Sequence, residues 1–441
     1  MNHNEAIKYI EDTAAFGTRL GLENISRLMS LLGDPQEKLQ IIHIAGTNGK
    51  GSVAAYILSV LEEAGLETGF YTSPSLTDFS ERIRINEEEI SDDDVAYYAT
   101  KVRTCAEEME KNGSGSPSEF EIVLAMAFCY FLDRKVDIVI LETGLGGRLD
   151  ATNVIKRSLL TIITKISYDH MQYLGDTLPQ IAYEKAAIIK PSGRVLVYPA
   201  DKDVEEVIRK QCNEKKADLY IAELPSERRI TEQDLSSGRT GQEFILSGET
   251  YSTLMAAAYE ADNAALAVQA VRLLRDKTGD KYFEISDKSI YEGIKKTRWP
   301  GRFEILSSDP VIIVDGAHNE DGAAALAETI KVYFKDKRIT LCIGILKDKQ
   351  YEKMLRILLP LAEKVIACRV PNPRSLETAE LKDIISRLTE QTEILTADSP
   401  EKAVEIIEKL QYKTAAVVIC GSLYLAGPVR KMILDGTKQP S

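Results

Sequence analysis

This sequence has fewer basic than acidic residues, no closely spaced cysteine pairs and no long apolar run. Lys and Arg number 55 against 68 Asp and Glu, a net charge of −13, which argues against nucleic acid as the main partner. The six cysteines include no Cys-x-x-Cys pair, so neither a disulfide framework nor a zinc site is indicated. No apolar run reaches membrane-spanning length, and no basic region followed by an apolar run opens the chain. We therefore expect a cytoplasmic protein without nucleic-acid or membrane partners.

The composition that remains is that of an ordinary globular protein. Hydrophobic residues make up 44% of the chain and charged residues 28%. A chain of 441 residues is too long for one ordinary core, so two or three domains are expected.

The stretch with the clearest chemical meaning is GTNGKGS at residues 46–52. It lies between an apolar run at 39–45 and a segment from Val53 in which apolar residues recur at three- and four-residue steps, the pattern of strand, loop and helix. Three glycines let backbone N–H groups surround a phosphate, and Lys50, the helix dipole and a Ser52 hydroxyl beside a magnesium ion would add to them. This pattern favours a nucleoside triphosphate site.

The alternative is a glycine-rich turn with a solvated lysine. The usual phosphate loop has Ser or Thr directly after its lysine, whereas Gly51 intervenes here. We favour phosphate binding because the strand and the helix stand where the motif needs them.

Three polar side chains follow other predicted strands: Ser73, Glu142 and His170. The carboxyl ends of parallel strands share one edge of a sheet, so these residues are expected near the glycine loop. Magnesium prefers oxygen ligands, which suits Ser73 and Glu142 better than His170. Each residue has an ordinary alternative, as a cap, a solvated strand end or a loop histidine, and only their joint position favours a metal site.

Alternating strand and helix patterns predict an α/β fold in two domains. Residues 1–297 form a P-loop-type domain with a mostly parallel sheet, a small antiparallel insert or loops at 225–250 and a helix at about 252–277. Residues 298–441 form a smaller, Rossmann-like α/β domain after the breaker WPG at 299–301. A site between two such domains is expected.

The order of several motifs resembles the folylpolyglutamate synthase family of the Mur ligase superfamily, over residues 17 to about 430. The matching motifs are IAGTNGKGS (44–52), TSP (72–74), ERI (81–83), ETGLGGRLDATN (142–153), DH (169–170), EKA (184–186), WPGR (299–302), DGAHN (315–319) and GSLY (421–424).

The resemblance implies a Mur ligase-type fold and ATP-dependent amide ligation. A folate γ-carboxylate would attack ATP to give an acyl phosphate, from which L-glutamate displaces phosphate. It also implies ATP, two magnesium ions and a carbamylated Lys185, and we expect a monomer. Without the resemblance, Lys185 would be interpreted as a solvated helix lysine.

The resemblance also assigns roles to residues. The catalytic set is Lys50, Lys185 and His170; the ATP set is Asn48, Gly49, Lys50, Gly51, Ser52, Asn263, Arg302 and Asp315; the metal set is Ser73, Glu142, His170 and Lys185; the folate set is Thr18, Arg19, Leu20, Phe120 and Glu121. His318 is left outside the catalytic set, as either a group near the acyl phosphate or a helix cap.

The sequence departs from the family pattern at two positions. A histidine that often follows Ser-Pro is replaced by Ser75, so a role of that histidine is not expected here. Bifunctional relatives that also make dihydrofolate carry Asp before Leu-Gly-Leu, where this chain has Arg19, and this departure favours folylpolyglutamate synthase. The bifunctional enzyme stays an alternative. Another alternative is a muramyl-peptide ligase. Such enzymes usually need an extra N-terminal domain for the UDP-sugar, and the 45 residues before Gly46 are too few for one. A small-molecule kinase or NTPase would not require the second domain, and intact Lys50, Glu142, His170 and Lys185 count against a silent ATP-binding protein.

Overall fold

The computed structural model describes residues 1–14, 21–232, 240–275, 283–335, 337–390, 392–410 and 415–437. Contacts between residues divide the chain into two compact units. The first unit comprises residues 1–166, 171–224 and 265–294, and the second comprises residues 167–170, 225–264 and 295–441.

The first unit contains an eight-stranded sheet with the spatial order β4-β3-β2-β5-β1-β6-β7-β8. Its strands are β1 (Ile41–Ala45), β2 (Thr68–Tyr71), β3 (Ile83–Ile85), β4 (Glu88–Glu89), β5 (Ile138–Glu142), β6 (Leu160–Ile163), β7 (Arg194–Val197) and β8 (Asp218–Ile221). Only β3 and β4 run antiparallel to their neighbours, and the other pairs are parallel.

Helices cover this sheet and complete its core. They are α1 (His3–Ala14), α2 (Glu23–Leu31), α3 (Lys50–Glu63), α4 (Asp92–Lys111), α5 (Glu119–Arg134), α6 (Met171–Leu174), α7 (Leu178–Ala186) and α8 (Lys202–Lys215). Helix α5 is buried from Glu121 to Phe131, and its side chains pack with those of α2, α4 and β5. A second cluster joins α7 and α8 to β6 and β7.

Strand β1 occupies the position that decides where ligands bind. All five of its residues and all five of β5 are buried, as expected for central parallel strands. Because β1 lies between β5 and β6, the chain leaves it at the point where the strand order reverses. Ligands bind at such a switch point, beyond the carboxyl ends of the strands.

The second unit contains a small antiparallel sheet of β9 (Glu227–Glu232), β10 (Gly241–Leu246) and β11 (Glu249–Thr253). Of the two alternatives for residues 225–250, loops or a small antiparallel insert, the structure shows the insert. The helix predicted from 252 is wrong at its start: residues 249–253 pair with β10, and α9 runs from Glu260 to Arg275. Alanines between these elements suggested helix, but Ala256 and Ala257 pack instead into the core of the second unit.

The main sheet of the second unit has six strands in the order β12-β13-β17-β14-β15-β16. They are β12 (Glu304–Ser308), β13 (Val311–Val314), β14 (Ile339–Ile343), β15 (Ala362–Cys368), β16 (Glu393–Ala397) and β17 (Val417–Cys420); only β12 is antiparallel to its neighbour. The remaining helices are α10 (Asp287–Lys296), α11 (Glu320–Phe334), α12 (Tyr351–Leu358), α13 (Thr378–Leu388), α14 (Pro400–Lys409) and α15 (Leu423–Thr437).

The contact division differs from the predicted boundary at 297/298: the last stretch of the second unit begins at residue 295, and residues 167–170 and 225–264 also belong to that unit. Residues 225–264 group with the second unit, since Ala256 and Ala257 lie in its core and the Tyr259 hydroxyl donates a hydrogen bond to Asp315. Among the described residues, no helix is both long and apolar enough to cross a membrane.

Candidate active site

The glycine loop joins β1 to α3, as the sequence predicts. Helix α3 begins at Lys50, three residues before the predicted start, and Gly49 precedes it with φ of 89°. A Cβ atom on Gly46 would lie 1.8 Å from the Thr164 hydroxyl, so only glycine fits there. Thr164 Oγ1 in turn donates to Asn48 O at 2.8 Å, and Thr47 N donates to Lys165 O at 2.9 Å. The loop is therefore held against the chain that follows β6.

Lys50 points back into the loop that carries it. Its Nζ lies 3.3 Å from both Gly46 O and Thr47 O, and 4.0 Å from Glu142 Oε1. Ser52 lies in the first turn of the same helix and is buried. An ammonium group, a helix N-terminus and a hydroxyl thus occupy one loop, the combination that phosphate binding uses.

Glu142 ends β5 directly beside the loop. It lies in register with Ile44 of β1, and its side chain is only 5% exposed. The Thr72 hydroxyl donates a hydrogen bond to the Glu142 carboxylate, and Ser73 follows Thr72 in the chain. A buried carboxylate beside Lys50 and the Thr72 hydroxyl is therefore present at the switch point of the sheet.

Lys185 reaches the glycine loop from α7. It is 4% exposed, and its Nζ donates to Gly46 O at 2.8 Å. The interpretation of Lys185 as a solvated helix lysine is therefore wrong, because its side chain is buried. Lys185 and Lys50 both donate to the Gly46 carbonyl.

His170 belongs to the second unit, with its neighbour Asp169 at the centre of a polar cluster. Asp169 accepts from Lys349 Nζ at 2.6 Å and Asn319 Nδ2 at 3.2 Å, and His318 Nε2 lies 3.3 Å away. Burial alone would raise the pKa of Asp169, but His318 and Lys349 hold it well below its usual range.

The backbone of this segment brings His170 into a left-handed conformation, with φ of 50°, and its amide donates to Asp169 Oδ1. Sequence reasoning missed Lys349. The signal available was its place soon after β14, since the residues that follow parallel strands tend to line sites.

The three predicted nucleotide contacts of the second unit make different bonds. Asn263 Nδ2 donates to Glu260 Oε2 at 3.1 Å in the first turn of α9. Asp315 is buried and accepts from the Tyr259 hydroxyl, Phe303 N and Ala317 N at 2.8–2.9 Å. Burial raises the pKa of Asp315, and the nearby Arg302 guanidinium opposes this. The structure therefore brings Arg302 and Asp315 together, whereas Asn263 lies on a separate helix.

Two of the predicted folate residues, Phe120 and Glu121, also have different surroundings. The Phe120 ring lies 5.9 Å from the Tyr71 ring, and a Cβ atom on Gly144 would lie 2.8 Å from it, so Phe120 adjoins the loop after Glu142. The Glu121 carboxylate instead accepts from the amide and hydroxyl of Ser118 and caps its own helix. Thr18, Arg19 and Leu20 lie outside the described residues.

Comparison with known families defines the class first. The chain matches the Mur ligase middle domain over residues 44–271 and the Mur ligase glutamate ligase domain over residues 301–423. Together with the strand–loop–helix site at the switch point, this makes the protein a Mur ligase, and the predicted fold class is confirmed.

Full-length relatives narrow the class. The chain is 35% identical over 436 residues to the dihydrofolate synthase/folylpolyglutamate synthase of Bacillus subtilis, covering 98% of this chain and 99% of the relative. Folylpolyglutamate synthase of Mycobacterium tuberculosis complexed with ADP superposes with a TM-score of 0.88 at 30% identity, over 100% of both chains. An FPGS–AMPPCP–folate complex gives 0.83 at 30% identity, over 98% of this chain and 100% of the other. The chain belongs to the folylpolyglutamate synthase/dihydrofolate synthase family.

Proposed function

We propose that this protein adds L-glutamate to the γ-carboxylate of tetrahydrofolate and its polyglutamates, with ATP converted to ADP and phosphate. The observation that carries this assignment is the convergence of Lys50 and Lys185 on Gly46 O, beside the Glu142 carboxylate. Structures of its relatives contain ADP, AMPPCP and folate, and these ligands indicate which substrates to assign.

The chemistry proceeds in two displacements. A folate carboxylate oxygen attacks the γ-phosphorus and ADP leaves, which gives an acyl phosphate. The glutamate amino group then attacks the acyl carbon, loses a proton, and phosphate leaves from the tetrahedral intermediate. Lys50 and the loop amides stabilise the charge that develops on the phosphoryl group.

Magnesium ions fit the donor set of the site. Among the described residues no cluster of three or more His, Cys, Asp or Glu could hold a metal by itself. Magnesium takes one or two protein carboxylates and completes its shell with phosphate and water oxygens, which suits the buried Glu142 carboxylate beside the phosphate loop. We assign Ser73, Glu142 and His170 as the protein ligands. Bound magnesium would neutralise phosphate charge.

Lys185 is assigned as a carbamylated lysine. A carbamate keeps one N–H on the lysine nitrogen, so the hydrogen bond to Gly46 O is compatible with the adduct. Its carboxylate would give an anionic oxygen ligand to magnesium in place of an ammonium group that magnesium repels. Asn263, Arg302 and Asp315 are assigned to the nucleotide, and Phe120 to the folate.

The second candidate is a bifunctional enzyme that also joins glutamate to dihydropteroate. The Bacillus subtilis relative bears both names, which favours this candidate, whereas Arg19 favours the single activity. Other Mur-type amide ligases share the chemistry.

One experiment separates these activities. Purified protein with ATP and magnesium is offered glutamate with tetrahydrofolate, glutamate with dihydropteroate, or a UDP-muramyl acceptor with its amino acid, and phosphate release and product mass are followed. Phosphate and a glutamylated product with tetrahydrofolate alone are expected. Product with both pterins establishes the bifunctional enzyme, and no product with any acceptor contradicts the ligase assignment.

A further inference from the structure

We propose that Glu304 and Arg430 form a positioning pair that holds the turn carrying Arg302, so that its guanidinium is presented to the nucleotide in one orientation. This inference rests on the proposed function of Arg302 as a nucleotide contact. Glu304 and Arg430 touch no reacting atom and act through the turn. All of these residues lie in the second unit.

The turn itself has an unusual backbone. Gly301 has φ of 74° and Phe303 has φ of 44°, so Arg302 lies between two left-handed residues. A non-glycine residue in that region costs roughly 1–3 kcal/mol and persists only where its surroundings enforce it. Contacts of both its backbone and its side chain hold Phe303 in this conformation. Its N–H donates to Asp315 Oδ2 at 2.9 Å, and its buried ring stacks on Tyr333 at 5.4 Å.

The Gly301 side of the turn depends on Glu304. Gly301 N donates to Glu304 Oε2 at 2.8 Å, while Gly301 O accepts from Gly316 N at 2.8 Å. Arg430 Nε lies 2.9 Å and 2.8 Å from the two Glu304 oxygens. Both side chains are about one-fifth exposed, so the ion pair is partly shielded from water. The Arg430 guanidinium thus fixes the Glu304 carboxylate, which accepts the hydrogen bond from the turn.

Arg302 has little freedom once the turn is fixed. Its Nη1 donates to Gly301 O at 3.0 Å, and a Cβ atom on Gly316 would lie 2.2 Å from Nη1. The guanidinium therefore lies close against Gly316 and near Asp315. Its orientation depends on the residue that Glu304 holds, because Gly301 donates its N–H to Glu304 and supplies, through its carbonyl, the acceptor for Nη1.

The test measures the dissociation constant of AMPPCP by titration calorimetry on full-length variants. The variants are Arg302→Met, Glu304→Ala, Glu304→Gln, Arg430→Met and the double variant Arg302→Met/Glu304→Ala. Glu393→Ala, which removes the Lys364–Glu393 ion pair in the same sheet, is the matched control. Loss of one buried or charged hydrogen bond corresponds to roughly tenfold in affinity.

We expect Glu304→Ala to weaken binding roughly tenfold, Glu304→Gln and Arg430→Met only a few-fold, and Glu393→Ala not at all. In the Arg302→Met background, Glu304→Ala should add less than about twofold, since a positioning residue acts only through its target. A full additional tenfold loss in the double variant overturns the inference. So does unchanged binding in Glu304→Ala with its cooperative melting retained.

Should Glu304→Ala fail to fold, the Glu304→Gln and Arg430→Met affinities decide, and values equal to wild type overturn the inference. Binding is measured without catalysis, so a chain that lacks folate ligase activity and still shows this coupling contradicts only the proposed function. Unchanged binding in Arg302→Met contradicts both assignments to Arg302.

Discussion

At the residue scale, burial separates lysines that look alike in the sequence. Lys185 and Lys190 are five residues apart, and both are buried with their ammonium groups on oxygen atoms. Lys185 contacts the glycine loop, whereas Lys190 donates to Asn153 at the end of the loop that follows Glu142. Without the family resemblance, no motif distinguishes Lys185 from an ordinary helix lysine, and the sequence gives no signal at all for Lys190.

Lys185→Ala should abolish ligase activity, and added short carboxylates should partly restore it. A small carboxylate can occupy the space of the proposed carbamate and supply the anionic oxygen that the variant would lack. The measurement is product formation with increasing carboxylate. Chloride at equal ionic strength is the control, and turnover equal to wild type in the variant would remove the carbamate role.

Lys190 predicts a pH-dependent stability. Burial, with Lys215 nearby, lowers the pKa of Lys190 to about 7 from 10.5. Between these values the unfolded state binds the extra proton, so stability rises with pH over that window and is constant below it. The free energy of unfolding of wild type, relative to Lys190→Met, should rise by about 2 kcal/mol between about pH 7 and about pH 9.

Denaturant titration at several pH values checks this expectation. Lys156→Met, at an exposed lysine, controls for the loss of one positive charge. Parallel pH profiles of wild type and Lys190→Met would show that Lys190 does not carry the effect.

At the element scale, most strands and helices follow from the sequence because their patterns are strong. The apolar run before Glu142 and the periodic segment after Gly49 form β5 and α3 as expected. Strands β12 and β16 are only partly buried, and their sequences lack the continuous apolar run that marks a buried strand. The sequence places the start of α9 too early because alanine favours helix locally. In the structure, residues 249–253 pair with β10 instead.

Helix α5 supplies a prediction at this scale. Glu121 caps the helix through Ser118, so Glu121→Ala should lower the free energy of unfolding by about 1 kcal/mol. Glu121→Gln is the control, because glutamine also completes a capping box. The check is denaturant unfolding combined with the KM for folate. A raised folate KM at unchanged stability would favour the folate contact that the family resemblance assigns to Glu121.

At the scale of the whole molecule, the sequence predicts two α/β domains but not which segments build them. The breaker at 299–301 marks the start of the second sheet correctly. No local pattern shows that residues 225–264 pack with that sheet, because the decisive contacts, such as Thr329 Oγ1 with Ala258 N, join distant parts of the chain.

Fragments test this division. A fragment of residues 298–441 lacks Ala256, Ala257 and the Tyr259 hydroxyl bond to Asp315, so it should expose apolar surface and melt without a cooperative transition. A fragment of residues 225–441 retains these groups, although it also carries residues 265–294 of the first unit, and should melt cooperatively. Calorimetry and dye binding provide the comparison. Equal cooperative transitions in both fragments would show that the added segment is dispensable.

Six stretches of chain alternate between the two units, which are therefore joined by five covalent links. Neither unit can be excised as one continuous piece of the gene, and a single proteolytic cut cannot release either one. Exchange of one unit between relatives would require several simultaneous crossovers. Such a protein is expected to evolve as an indivisible whole, through substitutions within segments and seldom through shuffling of intact modules.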